Sequence, residues 1–179
     1  MGRNVEIKAR LSDVDWERVW HWGEQNTTEP HQVLHQTDTF FPTSADRLKL
    51  REFADGTAEL IGYTRSDQVE PAESGYTRTP IPDPEGFLQA MRSTVGIRGV
   101  VRKQRDLFMI GPTRVHLDRV ERLGNFLELE VVLHPDQTFE QGRVVAENLL
   151  KQLEVQPHQL VSTAYIDLLE ASDRGDVTA

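Results

Sequence analysis

The most constraining feature of the chain is a two-residue alternation in which one parity collects fixed charge. Arg47-Leu48-Lys49-Leu50-Arg51, Arg114-Val115-His116-Leu117-Asp118 and Leu127-Glu128-Leu129-Glu130 all repeat it, as does Val5-Glu6-Ile7-Lys8 near the start. Successive side chains of a strand point to opposite faces, so a period of two marks a sheet with one apolar and one charged surface. Leu48, Leu50, Val115, Leu117, Leu127 and Leu129 are placed to pack against helices. The charged face either meets water, as in an ordinary half-covered sheet, or turns inward around a ligand.

The rest of the chain supplies the strands and helices for such a sheet. Strands are predicted at 3–11, 31–41, 46–53, 57–65, 74–81, 98–109, 112–120 and 125–134. Turn residues Pro42-Thr43-Ser44, Ala54-Asp55-Gly56-Thr57, Gly111-Pro112 and Leu123-Gly124-Asn125 fall between them. Ser12 caps a helix over 13–25, whose stripe of Trp16, Val19, Trp20 and Gly23 faces the core. Asp83 and Pro84 open a second helix with Phe87, Leu88, Met91 and Val95 inward. Thr138 and Gln141 fit a capping box for a third helix over 139–153, with Val145, Leu149 and Leu153 on its stripe. Pro157 ends that helix, and a last one is expected over 158–170. Residues 66–73 read as an acidic loop and 172–179 as a loose tail, so one domain over 1–171 is expected.

Composition narrows the function classes. The 179 residues are 37% apolar and 27% charged, ordinary for a soluble domain, and no run nears the roughly 18 apolar residues of a membrane span. The absence of cysteine removes disulfides, thiolate metal sites and a thiol nucleophile. Twenty Lys and Arg against 29 Asp and Glu give 20 − 29 = −9, which argues against nucleic acid or an anionic membrane as the main partner. The N-terminus has no apolar leader, so a cytoplasmic protein is expected.

About eight strands with intervening helices suit a sandwich, a ferredoxin-like sheet or a closed barrel. Periodicity alone reads first as a solvated sheet face, while the segregation of charge singles out the barrel among these. Its inward parity would hold Glu6 and Lys8, Arg47, Lys49 and Arg51, Lys103 and Arg105, Arg114, His116 and Asp118, and Glu128 and Glu130. Enclosing so many ions costs several kcal/mol each unless they are paired or met by a ligand, here a polyanion with a divalent cation. Glu128 and Glu130 would lie on one face about 7 Å apart. With no cysteine and no helical His pair, Mg²⁺ or Mn²⁺ suits the carboxylates of Glu6, Asp118, Glu128 and Glu130 better than zinc. Guanidinium forks and ammonium groups on the strands at 46–53 and 98–109 are phosphate grips, and neither a phosphate-binding glycine loop nor a dinucleotide fingerprint is present. His116 reads first as a hydrogen-bonded structural residue and second as a phosphate ligand or proton relay.

These pieces, in this order, resemble the CYTH or triphosphate tunnel metalloenzyme family, which includes class IV adenylyl cyclases, thiamine triphosphatases and inorganic triphosphatases. Asn4-Val5-Glu6-Ile7-Lys8 is similar to its Glu-x-Glu-x-Lys strand, His35-Gln36-Thr37-Asp38-Thr39-Phe40-Phe41 to its second strand, and Arg47-Leu48-Lys49-Leu50-Arg51 to its basic third. Leu60-Ile61-Gly62-Tyr63-Thr64-Arg65 resembles the fourth strand of some members. Arg102-Lys103-Gln104-Arg105 and Arg114-Val115-His116-Leu117-Asp118 resemble the sixth and seventh. Leu123-Gly124-Asn125-Phe126-Leu127-Glu128-Leu129-Glu130 resembles its Leu-Gly-x-Phe-x-Glu-x-Glu, and Ala164-Tyr165-Ile166-Asp167-Leu168-Leu169 its closing helix.

The resemblance implies an α+β protein built on an eight-stranded antiparallel β-barrel with flanking helices, its tunnel holding a triphosphate. It implies metal ligands at Glu6, Asp118, Glu128 and Glu130. Phosphate ligands would be Lys8, Arg47, Lys49, Arg51, Arg65, Lys103, Arg105 and Arg114, with Arg78 a further candidate, and catalysis would fall to Glu6, Lys8, Glu128 and Glu130. Two departures stand out. Asn4 replaces the first Glu of the opening motif, which removes a charge from a second metal site. Leu60-Ile61-Gly62-Tyr63 departs from the Lys-Gly-Pro pattern of the bacterial cyclases. The implied function is a Mg²⁺- or Mn²⁺-dependent triphosphatase acting on ATP, thiamine triphosphate or tripolyphosphate, as monomer or homodimer. A class IV-type adenylyl cyclase and a non-catalytic polyphosphate-binding module are the alternatives.

Overall fold

The computed structural model describes residues 2–44, 46–65 and 72–175. In chain order its elements are β1 (Gly2–Leu11), α1 (Asp13–Asn26), β2 (Gln32–Phe41), β3 (Arg47–Phe53), β4 (Ala58–Arg65), β5 (Ala72–Pro80) and α2 (Pro84–Thr94). There follow β6 (Gly99–Ile110), β7 (Thr113–Val120), β8 (Gly124–Val132), α3 (Phe139–Gln152), a 3₁₀ turn (Pro157–Gln159) and α4 (Tyr165–Asp173). The eight strands close into a barrel in the order β1-β5-β4-β3-β2-β6-β7-β8, every pair antiparallel. Two meanders, β2 to β5 and β6 to β8, are joined by the β2–β6 pair on one side and by β1 on the other. Closure removes every sheet edge and gives the barrel two distinct faces.

The apolar parity lies outside, under helices. Val5, Ile7, Ala9 and Leu11 of β1 pack with Val115, Leu117, Leu127 and Leu129 beneath α1 and α3. Leu50, Ala58 and Phe41, with Leu48 and Leu60 beside them, lie beneath Phe87, Leu88 and Met91 of α2. Each fully buried side chain of this kind contributes roughly 1.5–3 kcal/mol. Trp16 is buried and Trp20 packs partly against the same cluster, as the stripe predicts, and Trp22, off the stripe, packs partly against it too. Gly23 allows the approach, since a Cβ there would lie 2.7 Å from the Phe108 ring. Ser12 caps α1 and the Thr138–Gln141 capping box opens α3.

Four local expectations are corrected. Val95 and Val145 are exposed: Val95 is the C-cap of α2, and α3 turns Gly142, Ala146, Leu149 and Leu150 to the core. Of the predicted acidic loop, residues 72 and 73 are strand, pairing with Glu6 and Val5, while 66–71 lie outside the described residues. The helix expected over 158–170 is instead a 3₁₀ turn and an extended stretch, followed by α4. Leu160 bridges to Ala9 and Val161 N donates to Lys8 O at 2.9 Å, so pairing with β1 outcompetes the helix. Helix α4 runs to Asp173, two residues into the expected tail, and 176–179 lie outside the described residues.

Helix α4 packs against one end of the barrel, where Ala164, Tyr165, Ile166 and Leu169 meet Phe40, Val101, Val120 and Phe126. A Cβ on Gly99 would lie 2.6 Å from Ile166 Cδ1, so glycine sets how closely the helix seats. Asp167 accepts from Arg47 Nη2 at 2.9 Å and also pairs with Arg98, which bonds Glu170 as well. Among the described residues no helix is long and apolar enough to cross a membrane.

Candidate functional site

Strand register decides that the charged parity converges. Across β1 and β8, Glu6 faces Glu130 and Lys8 faces Glu128. Across β7 and β8, Arg114 faces Glu130 and His116 faces Glu128, and Arg105 faces Asp118 across β6 and β7. Opposite them, Asp38 faces Arg51 and Phe40 faces Lys49 across β2 and β3. The result is a charged cavity of about 720 Å³, its open mouth included, inside the barrel.

Glu6, Lys8, Glu128 and Glu130 line one part of this cavity together with Arg105, which bonds Glu128, and Lys49, Arg51 and Lys103 line another. Arg78 also lines it. Asp118 and Arg114 stand beside lining residues, bonded to Arg105 and Glu130. Arg47 is drawn to Asp167 of α4. Arg65 ends β4, and its side chain lies outside the described residues.

The basic wall is organised by a carboxylate. Asp38, 1% exposed, accepts from Arg51 Nε at 2.7 Å and Nη2 at 2.8 Å, from Lys49 Nζ at 2.8 Å and from Lys103 Nζ at 3.1 Å. With both lysines protonated, one negative charge against three positive ones leaves the wall two charges in excess. Burial would raise the Asp38 pKa, but Arg51, Lys103 and Lys49 hold it well below the carboxylate range. Burial and the neighbouring Arg51 charge bring Lys49 down to about 7 in spite of Asp38, and burial lowers Lys103 as well.

The opposite wall is acidic. Arg105 grips Asp118 through Nε and Nη2, both at 2.6 Å, and reaches Glu128 at 2.8 Å. Tyr165 donates its hydroxyl to Asp118 at 2.9 Å. Burial, with Asp118 and Glu128 nearby, raises the Tyr165 pKa well above its ordinary value, so the phenol remains a donor. Lys8 Nζ stands 4.0 Å over the Tyr165 ring and donates to Thr163 O at 3.4 Å. Glu130 accepts from Arg114 at 3.2 Å; burial would raise its pKa, but His116, Arg105 and Arg114 hold it lowered.

The family model of the CYTH domain matches residues 2–165. The chain belongs to the CYTH domain family. It is 26% identical over 176 residues to a protein of Aeromonas hydrophila named adenylate cyclase CyaB, covering 94% of this chain and 89% of that one. The solved PH1012 protein of Pyrococcus horikoshii is similar at 22% identity and a TM-score of 0.80, over 92% of this chain and 98% of that one. A Hippeastrum protein, described as a candidate adenylyl cyclase with a dominant triphosphatase activity, aligns at 13% identity and a TM-score of 0.66, over 99% and 98%. At these identities the solved structures speak for the fold.

The donors of this CYTH domain suit a hard cation. Asn4, on the Glu6 face of β1, is 1% exposed, lines the cavity, and its Oδ1 has no hydrogen-bond partner. A buried amide oxygen without a donor is costly, and a cation or its hydration water would satisfy it. Among the described residues no three His, Asp or Glu side chains form a ready-made cage. Mg²⁺ does not need one, since it is usually held by one or two carboxylates plus substrate phosphates.

His116 is buried, and burial with the Arg105 charge pushes its pKa down to about 4, so the imidazole is neutral. Its Nδ1 has no hydrogen-bond partner and lies 3.7 Å from Glu130 Oε1, so the expected hydrogen bond is missing at that atom. Sequence reasoning assigned no role to Asp38 or Tyr165. Asp38 carried a signal, an acid on the inward parity of a strand facing a basic one. Tyr165 carried none, because no periodicity shows that the first residue of a helix enters a barrel.

Proposed function

We propose that this CYTH domain is a divalent-metal-dependent triphosphatase that hydrolyses a nucleoside, organic or inorganic triphosphate in the barrel cavity. The observation that carries this reading is the charge distribution: a wall in which Arg51, Lys49 and Lys103 outnumber the one carboxylate of Asp38 faces a carboxylate wall across one cavity. A polyanion alone would need only the first wall. The second gives a cation a place beside it.

Lys49, Arg51 and Lys103 would take the phosphate oxygens, Arg51 through its planar fork and the lysines as point charges. Glu6, Glu128 and Glu130, with the Asn4 amide oxygen, would hold Mg²⁺ or Mn²⁺. When bound, the ion supplies Lewis acidity at a phosphoryl oxygen and lowers the pKa of its water. Asp118, whose oxygens already take the Arg105 fork and the Tyr165 hydroxyl, is assigned to holding Arg105 in place. Lys8, with Tyr165 beneath it, would neutralise charge at the end covered by α4. Water adds to the terminal phosphorus in line as the bond to the bridging oxygen breaks, giving orthophosphate and a diphosphate. The basic side chains stabilise the charge that develops.

A second reading is favoured by the likeness to the Aeromonas protein named adenylate cyclase. In a cyclase the ribose 3′ oxygen attacks the α-phosphorus and pyrophosphate leaves. Separating products by chromatography after incubation with ATP and Mn²⁺, and in parallel with tripolyphosphate, decides between them. Orthophosphate from both substrates is expected. Cyclic AMP with pyrophosphate would replace the first reading by the second, and binding without product would leave a polyphosphate sensor.

A further inference from the structure

Three cations crowded together in a barrel repel one another, and two simple escapes are open to them: the side chains splay, or a lysine loses its proton. On the basic wall one carboxylate opposes both, holding the side chains together and resisting, though not abolishing, the loss of the Lys49 proton. Both Asp38 oxygens are in use. Oδ1 takes Arg51 Nε, while Oδ2 takes Arg51 Nη2, Lys49 Nζ and Lys103 Nζ, all within 3.1 Å. The two parallel bonds fix the guanidinium plane and leave its Nη1 edge for another acceptor. Each ammonium gives one of its three hydrogens to Asp38 and keeps two.

We infer that Asp38 is a positioning residue of the phosphate clamp, holding the Arg51 fork and the Lys49 and Lys103 ammonium groups aimed and charged in readiness for a polyanion. This inference rests on the proposed reading of the cavity as a triphosphate site. Nothing in the sequence patterns or the comparisons assigns the residue a role. Asp38 is not a catalytic residue, since it reaches a ligand only through the cations it holds.

The electrostatics around Lys49 show why the carboxylate matters. Lys49 faces Asp38 from β2, Tyr63 from β4 at 5.4 Å, Arg51 on its own strand and Lys103 from β6, and it shares the cavity with Arg78 of β5 and Glu130 of β8. Burial and the other cations depress its pKa to about 7, and Asp38 is what opposes them. A polyanion prefers the protonated amine, so affinity is level below that pKa and falls as pH rises past it. Without Asp38 the fall begins at lower pH. An opposite charge at this distance shifts a pKa by roughly 1–3 units, so the onset moves acidward by about one unit or more.

The test is calorimetric titration of the full chain with tripolyphosphate from pH 5 to 9, comparing wild type, Asp38→Asn and Asp38→Glu. Comparison between proteins cancels the ligand's own titration. Wild-type affinity is expected to begin falling near pH 7, and Asp38→Asn at least about one unit lower. Asp38→Glu keeps the charge but lengthens the arm, so its onset stays with wild type while affinity drops about tenfold, the scale of one charge-assisted hydrogen bond. If the Asn variant does not fold, the Glu variant decides. An unchanged onset in Asp38→Asn, or Asp38→Glu binding within twofold of wild type, overturns the inference and leaves the triphosphate reading standing. Wild type that binds no tripolyphosphate at any pH overturns both.

Discussion

Glu130→Gln is expected to lower metal-dependent hydrolysis of tripolyphosphate about 10³-fold while metal-free tripolyphosphate binding stays level or tightens. The amide keeps the shape of the side chain and an acceptor for Arg114, which bonds Glu130 at 3.2 Å, so the barrel is preserved. It removes one of the charges proposed to hold the cation opposite the basic wall. Metal-assisted charge stabilisation is worth several kcal/mol, and each 1.4 kcal/mol is tenfold in rate. Binding moves the other way because an acid next to a polyanion site repels the ligand. Measuring kcat with Mn²⁺ and affinity without it separates the two effects. A fall in both by the same factor would mean that Glu130 supports the fold alone.

The second large effect is structural. Arg105→Met should destabilise the protein by about 3–5 kcal/mol, the usual result of removing one partner from a buried ion network. Arg105 is 4% exposed, and Asp118, held by two 2.6 Å bonds, is fully buried. Methionine fills much of the volume but leaves Asp118 and Glu128 beside each other without the fork. At roughly 2–4 °C per kcal/mol for a chain of this size, the midpoint of thermal unfolding should fall by about 10 °C. Adding Asp118→Asn should recover part of the loss, because the charge left stranded is then gone. A single variant that melts within 2 °C of wild type would show the network to be loosely coupled to the fold.

Much of this architecture is legible in the residues. The alternation at Arg47–Arg51 and Leu127–Glu130 is local information, and it fixes which side chains share a face whatever the sheet does next. What it does not fix is closure. The pairing of Glu6 with Glu130, or of Asp38 with Arg51, depends on register between strands far apart in sequence, and an open sheet would have the same pattern. Closure entered through the ordered resemblance to a known family.

Inward parity also proved insufficient to place a side chain in the cavity. Arg47 has the parity of Lys49 and Arg51 but lies where α4 presents Asp167, and the nearer carboxylate takes it. Asp118 and Arg114 likewise found partners within the wall. At the helix ends, competition between chain pairing and helix formation decided the outcome at Leu160, and a propensity reading of 158–170 does not contain β1.

Anomalous diffraction from a crystal grown with tripolyphosphate and Mn²⁺ shows whether the barrel interior holds a triphosphate and a divalent cation together. The manganese peak is expected among Glu6, Glu128, Glu130 and the Asn4 amide, with phosphate density against Lys49, Arg51 and Lys103. A manganese peak and phosphate density on the outer surface, with only water inside the barrel, would contradict that placement.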